Sequence, residues 1–141
     1  MTAILVPFDG SDTALRAVTY AIAQGKQTGA IVHVLNVQQP MDDYGMVPAY
    51  LNKRQYRDMA TERGNATLAS AVKRLQRSGV QYFVHVISGP TARTIVRTAR
   101  RLKCDSIVMG TRGMSAIADL VLGSVAHKVI HLATVPVTLV K

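Results

Sequence analysis

Several residue types are scarce in this chain of 141 residues, and their scarcity limits its core, its disulfides and its contact with membranes. Tryptophan is absent and only two residues are phenylalanine, so aliphatic side chains and methionine must fill the core. Because Cys104 is the one cysteine, an intramolecular disulfide is excluded, which fits a reducing compartment. No apolar run approaches the roughly 20 residues that span a bilayer, and no basic segment of a signal peptide is visible. We therefore expect a cytoplasmic protein without membrane contact.

Acidic residues are also in the minority, with 8 Asp and Glu against 17 Lys and Arg, which gives a net charge of +9. Four of the arginines, between residues 93 and 101, share one face of a predicted helix whose other face is apolar. This pattern is typical of a surface helix with a solvated outer face. Binding of nucleic acid or another polyanion is the alternative explanation of the charge.

Motifs of common nucleotide-dependent enzymes are missing as well. The sequence contains no G-x4-G-K-S/T, which excludes a Walker-type NTPase, and no G-x-G-x-x-G follows the first strand, as a dinucleotide oxidoreductase would require. His127 and His131 lie four residues apart without a third ligand, so no metal site is predicted. His33 and His85 fall within predicted strands, where we expect packing or hydrogen bonding. We predict no catalytic residue, because no nucleophile or general base has a partner at a defined spacing.

What the chain does contain is a regular alternation of β-branched apolar runs and helical patterns. We predict an α/β fold, a doubly wound five-stranded parallel sheet with helices on both faces, in one domain of residues 1–141. A loop is expected at 38–50. The predicted strands lie at 3–8, 31–37, 81–87, 106–109 and 135–140. The first predicted helix lies between the turn at 9–12 and Gly29, and the other three lie at 51–77, 91–102 and 116–132.

Such sheets bind ligands beyond the carboxyl ends of their strands, where the strand order reverses. After the fourth strand, Gly110, Gly113, Gly123 and Ser124 follow a G-x2-G-x9-G-S/T spacing. Glycines let a backbone approach a ligand closely and turn through positive φ, so that successive N–H groups can cradle phosphate oxygens. The Ser124 hydroxyl adds a donor. If Gly123 starts the ordered part of the last helix, the helix amides and dipole also favour an anion.

The glycine spacing has a purely structural alternative. With about 7% glycine at each position, three glycines at this spacing arise by chance in about one chain of this length in twenty-five. Gly110 and Gly113 would then only shape a turn, and Gly123 would only allow close packing of a helix.

Two further strand ends supply candidate contacts. Asp9 follows the first strand, where its carboxylate can accept a hydrogen bond from a ribose hydroxyl or an adenine amino group, and Gly10 and Ser11 leave room for a ligand. The alternative is that Asp9 or Ser11 caps the helix that follows. Asn36 and Val37 end the second strand, where a free backbone amide and carbonyl can pair with an adenine edge.

Five segments carry a resemblance to a known family: VPFDGS at 6–11, IVHVLNV at 31–37, SIVMGTRG at 106–113, LGSVAHKVI at 122–130 and VPVTLV at 135–140. Together they resemble the universal stress protein family, and the glycine spacing is that of its ATP-binding subgroup. The resemblance covers nearly the whole chain and is weakest from residue 38 to residue 76. It implies a Rossmann-like sheet of the adenine nucleotide alpha hydrolase type.

The resemblance also implies a ligand and the residues that hold it. The ligand would be ATP, with Mg²⁺ or Mn²⁺ bridging its phosphate oxygens, although no carboxylate cluster marks a dedicated metal site. A homodimer is implied through the strand from Val135 to Val140, an edge that offers unpaired backbone groups. The implied site residues are Asp9 and Val37 at the adenosine end, Pro7, Met109 and Gly110 along the site, and Arg112, Gly113, Gly123, Ser124 and Val125 around ribose and phosphates.

Two functional hypotheses follow. The first is a nucleotide-dependent stress-response or signalling module, whose ATP biases its conformation or its choice of protein partner and is hydrolysed slowly at most. The second is a basic interaction module that binds nucleic acid or another polyanion without nucleotide dependence, with an affinity that weakens steeply with salt.

Overall fold

The computed structural model of the chain describes residues 2–40, 52–113 and 122–141. Within these residues five strands alternate with four helices, in the predicted order. The elements are β1 (Ala3–Pro7), α1 (Asp12–Thr28), β2 (Ile31–Gln38), α2 (Lys53–Gln76), β3 (Tyr82–Ser88), α3 (Thr91–Arg101), β4 (Ser106–Gly110), α4 (Ser124–Leu132) and β5 (Val137–Val140).

The five strands are parallel and form one sheet in the order β3-β2-β1-β4-β5. β1 therefore lies at the centre, between β2 and β4, while β3 and β5 are the edges. The predicted α/β fold with a parallel sheet is confirmed, and so is the edge position of the last strand. The strand order reverses between β1 and β4, because the chain adds β2 and β3 on one side of β1 and then returns to add β4 on the other.

Both faces of the sheet are buried, which explains why its strands have near-continuous aliphatic sequences. Side chains alternate along β1: Ile4 and Val6 belong to one core with residues of α1 and α2, whereas Leu5 belongs to a second core with residues of α3 and α4. The helices that follow β1 and β4 therefore lie on opposite faces of the sheet. This arrangement leaves a crevice at the carboxyl edge between the two strands.

Helix ends follow the capping residues that the sequence offers. α1 starts after the N-cap Ser11, whose hydroxyl accepts a hydrogen bond from an amide of the first turn at 3.2 Å. It ends at Gly29, whose φ of 76° is the left-handed conformation that glycine adopts at low cost. α2 starts after Asn52, which forms a capping box with Gln55. The predicted start of this helix at Leu51 lies outside the described residues.

The start of α4 differs from the prediction. The helix begins at Ser124, and Leu122 and Gly123 precede it, so the predicted helix is wrong for these two residues. Gly123 is the N-cap with an extended backbone, and its amide donates to the carbonyl of Thr111 at 2.6 Å. This bond ties Gly123 to the loop after β4, and the helical spacing of apolar residues does not reveal it.

Two predictions fall partly outside the described residues. Residues 116–121 of the predicted last helix lie there, as do residues 41–50 of the predicted loop at 38–50. Within the described part, Gln38 belongs to β2 rather than to the loop, because it continues the pairing with β3.

The outer face of α3 is charged, as predicted. Arg93, Arg97, Arg100 and Arg101 are exposed, whereas Ile95 on the opposite face is buried. Exposure of the arginines agrees with both explanations of the net charge. In the part of the chain that the structure describes, no helix combines the length and the apolar character needed to cross a membrane.

His33 on β2 and His85 on β3 are packed and hydrogen-bonded, as predicted. Nδ1 of His33 lies 3.0 Å from Nε2 of His85, and the ring of Phe83 stacks on His33 with centroids 5.4 Å apart. Burial lowers the pKa of His33. The pKa of His85 is lowered first by burial and further by the nearby His33 and Arg101. The fold therefore favours the neutral form of both imidazoles.

We predict that the free energy of unfolding falls as the pH drops below about 6.5, the ordinary pKa of histidine. The unfolded chain takes up protons at His33 and His85 more readily than the folded protein, so the stabilisation by the neutral pair is present above that pH and is lost below it. Urea unfolding between about pH 7.5 and about pH 5.5 measures the slope. His85→Gln should make the slope shallower, while Tyr82→Phe, which keeps both imidazoles, should not. Equal slopes for His85→Gln and the parent protein would contradict the prediction.

Candidate functional site

The ends of β1, β2 and β4 enclose a cavity of about 830 Å³ in the crevice at the carboxyl edge of the sheet. All ten residues that the sequence predicts for the nucleotide site line this one cavity. Their part in binding stays a prediction, but their convergence is a property of the fold. The ten are Pro7, Asp9, Val37, Met109, Gly110, Arg112, Gly113, Gly123, Ser124 and Val125.

The loop after β1 holds the Asp9 carboxylate between the start of α1 and the glycine loop. Asp9 Oδ1 accepts a hydrogen bond from the amide of Ser11 at 2.9 Å, and Ser11 caps α1. A Cβ placed on Gly113 would lie 2.8 Å from Asp9 Oδ2. Gly10 has a φ of 87°, which strains any other residue. Ser11 caps α1, as the structural alternative expects, while Asp9 supports the turn and also lines the cavity. A contact of Asp9 with a ligand stays a prediction.

Glycine is required at Gly110 by the lack of space rather than by backbone conformation, whereas a Cβ on Gly113 would meet only the side chain of Asp9. A Cβ on Gly110 would lie 2.8 Å from Oγ1 and 3.0 Å from the carbonyl carbon of Thr13, in the first turn of α1. Gly123 has a φ of −68°, and neither Gly110 nor Gly113 has a left-handed φ. The expectation of positive φ is therefore wrong. The absent side chains instead let the loop after β4 lie directly against α1 and the loop after β1.

Hydrogen bonds hold the loop after β4 from three sides. The hydroxyl of Thr13 donates to the carbonyl of Arg112 at 2.6 Å. The carbonyl of Thr111 accepts from the amide of Gly123 at 2.6 Å, and the amide of Thr111 donates to the carbonyl of Val140 at 2.9 Å. α1, the start of α4 and β5 thus hold one short segment. Such preorganisation lowers the cost of ordering the loop when a ligand binds.

The first turn of α4 presents backbone donors to the cavity. Gly123 caps the helix without a side-chain hydrogen bond, and no acidic residue lies in the first turn. The amides of Ser124, Val125 and Ala126 lack intrahelical partners, as the first amides of any helix do, and all three residues line the cavity. These amides and the helix dipole favour an anion here. The sequence makes this anion site conditional on an ordered helix that starts at Gly123, and in the structure Gly123 is the N-cap and Ser124 the first helical residue.

β2 continues past the end of β1, which leaves part of its edge open. The register of the two strands ends at the pair Pro7 and Leu35, whereas β2 runs on beyond it. Backbone groups of Val37 point to the same side as those of Leu35, because the hydrogen-bonding direction alternates along a strand. The next carbonyl of the chain after β1, that of Phe8, accepts instead from Nδ2 of Asn36 at 2.9 Å. Val37 is thus placed to offer its amide and carbonyl to a planar ligand.

The cavity combines a largely apolar lining with few charges. Among the described lining residues, Asp9 is the one carboxylate and Arg112 is the one arginine or lysine. Met109, Ile95 and Leu35 contribute apolar surface. A cavity with apolar walls and a few placed polar groups is typical of sites for small organic ligands.

Some residues that shape the site are not apparent from the sequence. Thr13 and Thr111 hold the glycine loop, and Thr91 lines the cavity from the first turn of α3. Threonine has no characteristic spacing, so the only available signal is its position at an element end near the carboxyl edge. The sequence singles out Asn36 for its backbone, whereas the structure uses its side-chain amide.

Other reactive side chains lie away from this cavity. On α4, the rings of His127 and His131 stack on each other with centroids 5.8 Å apart. Burial, followed by the charge of Asp105, raises the pKa of the Cys104 thiol to about 11, which keeps it protonated at neutral pH. Within residues 2–40, 52–113 and 122–141, no group of three or more His, Cys, Asp or Glu is arranged to hold a metal ion.

Comparison with known proteins identifies relatives over the full length of the chain. The model of the universal stress protein family matches residues 1–141. The universal stress protein MJ0531 of Methanocaldococcus jannaschii is 35% identical over 138 residues, which represent 98% of this chain and 81% of that protein.

Solved structures of similar proteins share the fold. The hypothetical protein MJ0577, whose structure was used to assign a biochemical function, has a TM-score of 0.85 at 26% identity, over 99% of this chain and 95% of its own. A universal stress protein solved in complex with cAMP has a TM-score of 0.71 at 25% identity, over 99% of this chain and 95% of its own.

We predict different responses to alanine at Gly110 and at Gly113. In Gly110→Ala the methyl group meets the backbone of Thr13, which cannot move without shifting α1, so the free energy of unfolding should fall by about 1–3 kcal/mol. In Gly113→Ala it meets only the side chain of Asp9, which can rotate, so the loss should stay below about 1 kcal/mol. Urea unfolding measures both values. A Gly110→Ala protein as stable as Gly113→Ala would contradict this account of the glycines.

Proposed function

The chain belongs to the universal stress protein family, and from this premise we propose that it is a single-domain, adenine-nucleotide-binding module of stress response or signalling, with ATP as its ligand. The cavity between β1 and β4 supports the proposal most directly, since it gathers the glycine loop, the Asp9 carboxylate and the first amides of α4. A similar universal stress protein has been solved in complex with cAMP, which supports an adenine nucleotide as the class of ligand.

The lining offers partners for both parts of an adenine nucleotide. For adenosine, Asp9 supplies a carboxylate oxygen to a ribose hydroxyl, and the backbone of Val37 supplies a donor and an acceptor to an adenine edge. For the phosphates, Ser124 supplies a hydroxyl, Val125 an amide and Arg112 a positive charge. The volume of about 830 Å³ lies within the range of about 300–1,000 Å³ for small-ligand sites.

A divalent cation fits this site as a companion of the phosphates. Asp9 is the one carboxylate among the described lining residues, and Mg²⁺ is usually held by one or two carboxylates together with substrate phosphates and water. Because Asp9 is assigned to the ribose, we propose that Mg²⁺ or Mn²⁺ is held by phosphate oxygens and water.

We propose that ATP is bound rather than rapidly hydrolysed. Among the described lining residues, neither a histidine nor a second carboxylate accompanies Asp9, so a general base with an orienting partner is lacking there. Bound ATP then acts by shifting the balance between two conformations or between protein partners, which requires only that it bind one state more tightly than the other.

We further propose a homodimer along the edge formed by residues 135–140. β5 ends the sheet, and its side chains are half-buried. The carbonyls of Pro136 and Val140 accept hydrogen bonds from β4 and the residue after it, so the backbone groups of Val137 face the open side. An open edge of this kind offers hydrogen-bonding groups to the same strand of a second copy.

We predict that the purified protein binds ATP in isothermal titration at nucleotide concentrations up to the millimolar range. Asp9→Asn should weaken binding roughly tenfold, because it keeps the acceptor for Ser11 and replaces only the second carboxylate oxygen. Asp12→Asn is the matched control, since Asp12 carries the same charge in the first turn of α1 and does not line the cavity. Absence of binding of ATP, ADP and AMP would overturn the proposal. Equal losses in the two variants would remove the role given to Asp9.

We predict a dimer in sedimentation at micromolar concentrations. Val137→Pro removes an N–H from the open side of β5 and leaves the bonds to β4 in place, so it should give a folded monomer. Thr138→Pro is the contrasting variant, because it removes an N–H that faces β4 and should destabilise the fold. A parent protein that sediments only as a monomer would contradict the proposed interface, and so would an undiminished dimer of Val137→Pro.

A further inference from the structure

A groove adjoins the nucleotide cavity on the side of α3 and α4. Its volume is about 620 Å³, and the first turn of α3 and one face of α4 line it. On α4 the lining residues Ser124, His127, Lys128 and His131 recur at helical spacing, and Arg93 contributes from α3. A mononucleotide in the cavity leaves this groove without a role.

The groove and the cavity are continuous. Gln39, Thr91, Ser124 and Val125 line both. The cavity alone, at about 830 Å³, already has room for one small ligand, for which sites measure about 300–1,000 Å³. The groove therefore adds space beside Ser124, the residue proposed to contact phosphate.

The described lining of the groove is positively charged. Arg93 and Lys128 line it, and neither side chain has an ion pair or hydrogen bond with another described residue. Aspartate and glutamate are absent from its described lining. α3 and α4 both start at the groove without a side-chain cap or an acidic residue in the first turn, so unpaired amides add to the attraction for an anion.

We propose that the groove is a second anion subsite for the same ligand, so that the protein prefers adenosine polyphosphates whose chain continues past the triphosphate, either free or capped by a second nucleoside. The inference rests on the proposed function, because it takes Ser124 as the phosphate contact from which the chain continues. Lys128 lies one helical turn beyond Ser124 on the same face, and Arg93 lines the groove from α3. The additional phosphates contact these two cations.

Isothermal titration of the full chain with ATP and with adenosine tetraphosphate tests the subsite. We expect the tetraphosphate to bind roughly fivefold more tightly, the effect of about one further exposed ionic contact. The double variant Arg93→Gln/Lys128→Gln should lose this preference. The matched control is Arg97→Gln/Lys73→Gln, which removes the same two kinds of charge from exposed positions of α3 and α2 outside the groove and should keep the preference.

Three outcomes would overturn the subsite. Equal affinities of the parent protein for ATP and the tetraphosphate would do so while the proposed function stands. Equal loss of preference in both double variants would do so as well, because general electrostatic attraction would then explain the effect. Failure of both nucleotides to bind would overturn the proposed function together with the subsite.

Diadenosine tetraphosphate distinguishes the two forms of the ligand. Tighter binding than that of adenosine tetraphosphate indicates a second nucleoside in the groove, where the stacked rings of His127 and His131 offer it a surface. Weaker binding indicates the free chain. Either result supports the subsite when Arg93→Gln/Lys128→Gln removes the preference over ATP.

Discussion

The close approach of the first turn of α1 to the end of β4 is the contact on which the rest of the structure depends. Gly110 has no side chain where Thr13 packs against it, and the hydroxyl of Thr13 donates a hydrogen bond to the carbonyl of Arg112. The strand order reverses between β1 and β4, so this contact joins loops whose helices leave on opposite faces of the sheet. A side chain at Gly110 would force the two loops apart and widen the crevice that they enclose.

The other features of the cavity depend on that contact in turn. Thr111 follows Gly110 directly, and its two backbone groups bond to Val140 and Gly123. The bond to Gly123 sets where α4 starts and so where its first amides face. On the other side of the crevice, Asp9 accepts from Ser11, the cap of the helix that carries Thr13. One packing contact therefore relates the carboxylate, the glycine loop and the helix amides to one another.

The fold could largely be predicted from local patterns, whereas much of the site could not. Strand positions follow from β-branched runs, and the start of α1 follows from a serine before a helical pattern. The predicted start of α4 is wrong because the apolar spacing around Gly123 carries no information about the hydrogen bond from Gly123 to Thr111. The expectation of positive φ in the glycine loop is wrong for a related reason, since glycine is needed at Gly110 because Thr13, on another element, packs against it. The ten candidate site residues come from strand ends and a family resemblance, both readable in sequence, but the threonines that hold them in place are not.

The hydrogen bond between Thr111 and Val140 has a consequence for regulation. It connects β5, an edge strand of the sheet, directly to the loop after β4 at the central crevice. Whatever restrains β5 also restrains this loop, and a ligand that orders the loop stabilises β5 in return. Thermodynamic linkage requires the two influences to be equal when each is expressed as a coupling free energy. If the protein binds nucleotide and associates at the sheet edge as proposed, the two events would then be coupled over the width of two strands, without any change of fold.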